Sequence, residues 1–391
     1  MGRLRVLVVG AGVGGISVAR GLLRDGHDVT VFEQRPAAQP GGGAVTIWSN
    51  GATVLEQLGV DMEGAGQELS RVRVVTSTGR PLVTLDLTVI TDRLGAPVRM
   101  VPRRVVLDRL LRGFPTDRIS YNRRAAAVVT GDDGVRVEFE DGTAAEGDLL
   151  VGADGLHSKV RDILGARDAE PTGWCSWQGL ATLPGLTDQR VALLVIGERG
   201  NLGLWPAGGC EVQWWFDLPW SHGFVRPQRP IDVIREHFTG WCEAVDGLLA
   251  TLTDEDLADS PYPHFRHPIP PPGRGPLTLL GDAAHTMPPT LAQGTNQALL
   301  DTMVLCKALA DRRDGDLSKA LRWYEKTRRR SVAAVSRVTS LQVSHGESVL
   351  RPAAVIPDRY MTWALTTFLS SVSHRRICAE VSRDLAATTS S

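Results

Sequence analysis

The 391-residue sequence predicts an α/β body of parallel strands and helices, with an inserted antiparallel sheet and helices toward its C-terminal end. Three observations predict this. An apolar run, a glycine turn and an amphipathic helix follow one another in a βαβ unit of about thirty residues. Two later apolar runs, Leu149–Ala153 and Leu277–Leu280, each lead through a glycine–aspartate turn toward a helix. Between them, from Pro171 to Pro272, lie seven of the ten tryptophans among alternating residues, the mark of a separate sheet.

Taken in order, Leu4–Val9 reads as a buried parallel strand. A helix from Gly15 to Arg24 puts Ile16, Ala19, Leu22 and Leu23 on one face, and Val29–Glu33 is the second strand. The Gly/Pro-rich loop Pro40–Gly43 precedes a short strand and a helix over Gly51–Leu58. Val72–Val89 alternates around Thr78-Gly79 as antiparallel strands. A helix carrying Val106, Leu110 and Leu111 follows Pro102-Arg103, and Val128–Gly142 reads as a hairpin around Asp132-Asp133-Gly134. The domain division expected is 1–70, 97–170 and 275–345 for the α/β body, 71–96 and 171–274 for the inserted sheet, and 346–391 for a C-terminal helical segment. Residues Ala386–Ser391 are expected to be disordered.

Composition narrows the function classes. A net charge of -1 leaves no electrostatic footprint for nucleic acid or an anionic membrane, and no apolar run reaches membrane-spanning length. The chain starts on a strand rather than a leader, so a cytoplasmic location is expected. Cys175, Cys210, Cys242, Cys306 and Cys378 are widely spaced and contain no CxxC pair. They suit neither a disulfide framework nor a metal site and are expected to be buried apolar residues.

Three motifs carry chemistry. In Gly10-Ala-Gly12-Val13-Gly14-Gly15, Gly10 permits a tight turn, Gly12 lets backbone approach a pyrophosphate, and Gly15 lets helix and strand pack closely. The helix start offers free N–H groups to phosphate, and Glu33, 21 residues beyond Gly12, can accept hydrogen bonds from a ribose diol. By itself this motif does not separate FAD from NAD. In Gly152-Ala-Asp154-Gly155, running on to Ser158 and Arg161, the aspartate reads equally as a capped turn or a ligand contact. In Gly281-Asp282, with His285, Pro288-Pro289, Gln293-Gly294, Asn296 and Asp301 following, the aspartate can bond a ribityl or ribose hydroxyl. The helix beginning near Gly294 would face an anionic group.

In this order and spacing the three motifs resemble the para-hydroxybenzoate hydroxylase family of FAD-dependent monooxygenases. The run Pro-Thr-Leu-Ala-Gln-Gly-Thr-Asn is most similar to its salicylate-hydroxylase and zeaxanthin-epoxidase-like branch. The resemblance covers residues 1 to about 345. It implies a Rossmann-like FAD-binding domain with an inserted substrate sheet, and FAD held through Gly10, Gly12, Val13, Gly14, Gly15, Glu33, Asp282, Pro289, Gly294 and Asn296. Asp154 would serve the phosphate and nicotinamide side. Arg103, with Arg104 as the alternative register, would reach the cofactor, and Pro289 with the Gln293-Gly294 helix start would lie near the isoalloxazine ring.

The sequence departs from the family in three places. Ala292 replaces a glycine, a substitution expected to be tolerated; Leu300 replaces an acid; and Gly41-Gly42-Gly43 takes the place of a basic residue common in the hydroxybenzoate branch. Together the three argue against a hydroxybenzoate-like substrate and leave the cofactor expectation intact.

The implied chemistry is reduction of FAD by NADPH or NADH, then transfer of one oxygen atom from O2 through a C4a-hydroperoxyflavin to an aromatic, polycyclic or terpenoid small molecule. A setting in bacterial secondary metabolism, a monomer or homodimer, and a free or carrier-tethered substrate are all compatible with it. A reductase or non-redox cyclase on the same scaffold, and a non-catalytic FAD-binding module, are the alternatives; the Trp-x-Trp-x-Ile-Pro element of flavin halogenases is missing despite Trp214-Trp215.

No catalytic base is legible. His222, Tyr262, His264, His267 and Asp217 are candidates, each more commonly a structural polar residue. His285 is expected to pack or cap within the cofactor motif, Arg328-Arg329-Arg330 to form a solvated face, and the tryptophans to line a flat pocket or fill a core.

Overall fold

The computed structural model describes all residues except 1, 40–41, 132–133, 184–189, 199, 269–271, 313–315, 351–354 and 374–391; over 341–350 it describes the backbone alone. The expectations placed on Pro40-Gly41, Asp132-Asp133, Cys378 and Ala386–Ser391 lie outside the described residues.

Five parallel strands form the first sheet, in the order Leu277–Leu279, Leu149–Gly152, Arg5–Val9, Asp28–Phe32, Ile119–Ser120. Their Val- and Leu-rich runs are buried on both faces, as a parallel sheet covered on each side requires. On one side the helix Val13–Arg24 lays Ile16, Ala19 and Leu22 into the largest core cluster, against Leu299, Leu305 and Leu309 of the helix Gly294–Ala310. Gly21 lets those helices approach: a Cβ there would meet Cys306 Sγ at 2.7 Å. On the other side a three-stranded antiparallel sheet (Ala125–Gly131, Gly134–Phe139, Ala144–Gly147) covers the strands, with Phe32 and Phe139 in ring contact at 4.7 Å.

The second large sheet has seven strands, in the order Tyr262–Arg266, Glu170–Thr182, Glu211–Pro219, Gly200–Gly208, Val191–Gly197, Arg71–Thr76, Pro81–Asp86. It is antiparallel except for one pair. Val191–Gly197 runs parallel to Arg71–Thr76, because these strands come from distant segments and no hairpin sets their direction.

Helices were missed in this region. The alternation expected up to Val89 stops at Asp86, whose carboxylate accepts from Thr88 N at 3.0 Å and caps the helix Leu87–Leu94. Two more helices, Pro230–Phe238 and Glu243–Thr251, cover one face of the sheet. Their signals were a proline at the first helical position and apolar residues Ile231, Ile234 and Phe238 at helical spacing.

Alternation assigns the two faces of the seven-stranded sheet. Cys175, Trp177, Trp214, Phe216 and Leu218 turn toward the two helices and form a core with Ile234, Phe238 and Leu248, each large side chain worth roughly 1.5–3 kcal/mol of burial. The tryptophans Trp177 and Trp214 are therefore core residues. Ser176, Gln213, Trp215 and Asp217 turn the opposite way, toward the parallel-sheet body, where Gln213 Oε1 accepts from Ala44 N at 2.5 Å. The helix Asp358–Ser371 closes the exposed edge strand: Thr84 N donates to Asp358 Oδ1 and Asp86 N to Thr362 Oγ1, both at 3.1 Å.

Of the described cysteines, Cys175 and Cys306 are buried as expected, but Cys242 is only partly covered and Cys210 is exposed, at the turn between two strands.

Candidate active site

Three turns at the C-terminal ends of parallel strands converge. Gly10 takes φ 105°, and a Cβ there would stand 2.4 Å from Ala153 O, so the first turn can lie against the Ala153-Asp154 turn only as glycine. A Cβ on Gly15 would fall 1.9 Å from Gly10 O, and one on Gly14 would meet Leu280 at 2.8 Å and Ala298 at 3.5 Å. Gly12 differs: nothing lies within 4 Å of its Cβ position, so its backbone borders open space.

The helix starting at Val13 has no side-chain cap and no acid in its first turn, nor does the helix starting at Gly294. Both offer unpaired N–H groups and positive dipole ends. A Cβ on Gly294 would lie 3.8 Å from Asp282 Oδ1, so the second helix start adjoins the exposed Asp282. Glu33 stands beside the first turn, where Oε2 accepts from Ala11 N at 2.8 Å and Oε1 from Arg35 N at 2.9 Å. These residues fit a flavin dinucleotide: a glycine opening without a Cβ, two uncapped helix starts for anionic groups, and two carboxylates for hydroxyls.

The two candidate arginines point to different places. Arg103 opens the helix Arg103–Leu111 with its charge beside Asp282 and Tyr262, and burial lowers its pKa against their attraction. Arg104 points away to Glu211, meeting both carboxylate oxygens at 2.8 Å. Pro289 is exposed on a 3-10 turn, Pro289–Leu291, and Ala292 ends it at φ 48°. An L-residue in that left-handed conformation costs roughly 1–2 kcal/mol, which the family glycine would avoid and this fold tolerates.

Two expected cofactor residues have side chains committed to the chain. Asn296 is buried and braces the site: Nδ2 donates to Thr46 O and Ala292 O, both at 2.9 Å, and Oδ1 accepts from Trp48 N at 2.9 Å. Asp154 accepts from Ser158 Oγ at 2.5 Å, Lys159 N at 2.8 Å and Val160 N at 3.2 Å, so it caps the helix Lys159–Ile163. Burial nevertheless raises its pKa, against those hydrogen bonds. The buried Arg161 then ties that helix to the third motif, donating to Ala283 O at 3.2 Å and Ala284 O at 3.0 Å.

The arginine run expected to form a solvated face does so only at Arg329 and Arg330. Arg328 is 3% exposed; its Nε donates to Asp301 Oδ1 at 2.5 Å and its Nη2 to Gln297 Oε1 at 2.7 Å. Asp301 Oδ2 accepts from His285 Nε2 at 2.6 Å and from Gly281 N at 2.8 Å. Burial would raise the Asp301 pKa, but His285 and Arg328 outweigh it and hold the carboxyl below its usual range. The Arg328–Asp301–His285 cluster thus fixes the turn that presents Asp282. Its signal was spacing: Arg328 continues the buried stripe Leu321, Tyr324, Val332, Val335.

The base candidates separate. His222 is exposed beside Trp220, and His267 sits behind the third motif, its Nδ1 accepting from Thr286 N at 3.1 Å. Tyr262 neighbours Arg103. His264 and Asp217 share a partner that sequence reading missed, Ser176: its Oγ lies 2.5 Å from Asp217 Oδ1 and 2.6 Å from His264 Nε2. Burial pushes Asp217 up to about 7, against hydrogen bonds from Ser176 and Trp215, and pushes His264 down to about 4. Near neutral pH the cluster can therefore hold or release one proton at Asp217.

That raised pKa makes a stability prediction. Between about pH 4 and pH 7 the folded protein keeps a proton on Asp217 that the unfolded chain has lost, so this group's stabilising contribution falls as pH rises. D217N is expected to be more stable than wild type at pH 8 by on the order of 2 kcal/mol, seen as a higher melting temperature, with the gap closing toward pH 4. Parallel melting curves across that range would contradict it.

No helix among the described residues is long and apolar enough to cross a membrane, and no group of three or more His, Cys, Asp or Glu among them could hold a metal ion.

Comparison with known proteins agrees with this geometry. The FAD binding domain family profile matches residues 3–339. The FAD-dependent urate hydroxylase of Klebsiella pneumoniae subsp. pneumoniae is 31% identical over 336 residues, covering 83% of this chain and 86% of the relative. The chloroplastic zeaxanthin epoxidase of Prunus armeniaca is 32% identical over 374 residues, covering 88% of this chain and 56% of that longer relative. Among solved structures, a single-residue variant of Klebsiella pneumoniae HpxO complexed with FAD superposes with a TM-score of 0.85 at 26% identity, covering 94% of this chain and 99% of the other. The chain belongs to the FAD binding domain family and is a flavin-dependent monooxygenase of the para-hydroxybenzoate hydroxylase class.

Proposed function

We propose that this enzyme uses FAD, reduced by NADPH or NADH, to insert one oxygen atom from O2 into an electron-rich ring or alkene of a small aromatic, polycyclic or terpenoid molecule. The flavin supplies the electrons and the oxygen activation; the protein binds, orients and excludes water. The observation that carries the reading is the convergence of the three glycine turns and two uncapped helix starts, with Gln213 of the seven-stranded sheet bonded to Ala44 N on the same body.

In this reading Gly10, Gly12, Val13, Gly14 and Gly15 hold the pyrophosphate, Glu33 the adenosine ribose and Asp282 the flavin side chain. Arg103, Pro289, Gln293 and Gly294 border the ring system. Residues 1–70, 97–170 and 275–345 form the FAD domain; 71–96 and 171–274 form the substrate domain. Tyr262 and the Ser176–Asp217–His264 cluster are the polar groups offered to a substrate, and Asp217 is the group able to accept a phenolic proton. The named relatives act on urate and on zeaxanthin, which supports an electron-rich ring or alkene. Trp177 and Trp214 fill the core and carry no argument about ring number; Trp205 and Trp215, in ring contact at 5.7 Å, lie on the opposite face of the sheet.

The test is sequential mixing. FAD-loaded protein, made anaerobic, is mixed with NADPH or NADH in the presence of candidate aromatic and terpenoid ligands, then with 18O2. Bleaching of the flavin by a nicotinamide, followed by one labelled oxygen in the product, is expected. A flavin that no nicotinamide bleaches under any of these conditions would refute the proposal.

A further inference from the structure

The seven-stranded sheet meets the parallel-sheet body at two places on one face. Gln213 Oε1 accepts from Ala44 N at 2.5 Å. The Tyr262 hydroxyl stands 4.0 Å from where a Cβ on Gly42 would lie, and Arg103 is its charged neighbour. Strand register puts Asp217 on that same face. It alternates in step with Gln213 and pairs with Ser176, which pairs in turn with Tyr262. These side chains stand in one row, with Asp217 two strand spacings, about 10 Å, from Tyr262.

Among the described residues Asp217 takes its hydrogen bonds from its own sheet, from Ser176 Oγ at 2.5 Å and from Trp215. Its side chain keeps 11% of its surface open, on the face turned to the body. The proton positions follow. An ionised carboxylate only accepts, so Ser176, whose hydroxyl has a single proton, donates to Asp217 Oδ1. Ser176 Oγ then accepts from His264 Nε2 at 2.6 Å, which puts the imidazole proton on Nε2. Burial pushes His264 down to about 4, so the ring is neutral at neutral pH. The chain His264–Ser176–Asp217 thus runs in one direction and favours the charged carboxylate.

The other groups around Asp217 do not compete for a proton. Cys175, turned to the opposite face, is pushed up to about 12 by burial and by Asp217 itself, and stays a thiol. Tyr262 is raised by burial and by Asp259 against the pull of Arg103, and stays a phenol. Asn201, paired with Asp217 on the next strand, is neutral.

We propose that Asp217 is the catalytic base of this site, with Ser176 and His264 as its positioning residues, and that the substrate carries an acidic O–H or ring N–H rather than an isolated alkene. This rests on the monooxygenase reading above. As the substrate O–H bond breaks, the proton passes to Asp217 and the electron pair stays on the substrate oxygen, which enriches the ring for oxygen transfer. The proton returns to the product oxygen as the ring recovers its aromaticity, so Asp217 ends each turnover unchanged. Burial, which lifts Asp217 to about 7, matches it to such protons at neutral pH.

The positioning is read without substrate, by infrared pH titration of the Asp217 carboxyl band, identified by its loss in D217N. S176A and H264L, which break the chain, should raise the midpoint by about one pH unit, and H264Q, which keeps a donor to Ser176, should not. A merely structural role would lower stability and leave the midpoint in place. The substrate class is read with phenol, resorcinol and β-naphthol, each beside its fully methylated ether, titrated near pH 8 into FAD-loaded protein and followed by flavin absorbance. The hydroxyl form of at least one pair should bind about tenfold tighter than its ether in wild type. In D217N the preference should fall below about threefold, because the acceptor is no longer charged.

A midpoint unmoved in S176A would overturn the positioning chain. No preference for any hydroxyl form, whether the ethers bind equally or nothing binds, would overturn the substrate class. Labelled oxygen entering an alkene as fast in D217N as in wild type would overturn the base and leave the monooxygenase reading standing. A flavin that no nicotinamide bleaches would refute that reading and the base with it, while a midpoint displaced as expected would leave the proton chain in place.

Discussion

Replacing Arg328 with methionine is expected to destabilise the protein by about 3–5 kcal/mol, the usual cost of removing one partner from a buried ion pair. Asp301 is fully buried, and its Oδ1 has Arg328 Nε as its close partner at 2.5 Å. Methionine fills similar volume but leaves that oxygen unpaired, because His285 and Gly281 N engage only Oδ2. Denaturant unfolding of R328M measures the loss, and the double variant R328M/D301N should recover part of it, since the stranded charge is then gone. A double variant no more stable than R328M would show that the cost lies in packing rather than in the carboxylate.

A sharper contrast is expected at two glycines three residues apart. In G15A the new methyl falls 1.9 Å from Gly10 O, a backbone atom that cannot yield without opening the strand–helix turn. In G12A the methyl meets nothing within 4 Å in the protein, but it enters the space a pyrophosphate would need. G15A should therefore lose both thermal stability and FAD. G12A should melt, without flavin, like wild type while its FAD affinity falls about 100-fold, roughly the loss of one or two charge-assisted hydrogen bonds. Flavin content after purification, together with melting of the flavin-free proteins, separates the cases. Tight FAD binding by G12A would remove the first turn from the site.

The βαβ unit and its two companion turns were legible because every signal in them is local. An apolar strand run, a glycine whose φ or close approach excludes a side chain, and a helix stripe each declare themselves within a few residues. The same locality exposes what was misread. Pro230 with Ile231, Ile234 and Phe238 announces a helix, although the tryptophan-rich alternation around it predicts sheet. Arg328 stands in a run of three arginines, and charge density suggested solvent although the stripe from Leu321 to Val335 placed it inside.

Thus the sequence by itself determined the parallel-sheet body, the glycine turns and the acidic ends at Glu33 and Asp282, each from near neighbours along the chain, and the order and spacing of the three turns, through a family resemblance, pointed to a flavin-dependent class. Only the tertiary structure decided which arginine meets Asp282, that Asp154 and Asn296 spend their side chains on the protein, and that Asp301 is held by His285 and Arg328. It alone assembled Ser176 with Asp217 and His264, residues 41 and 88 positions apart that strand pairing sets side by side. The physical reason is common to these cases. Burial, partner and pKa belong to the space around a side chain, and that space is filled by segments whose separation along the chain carries no signal of their contact.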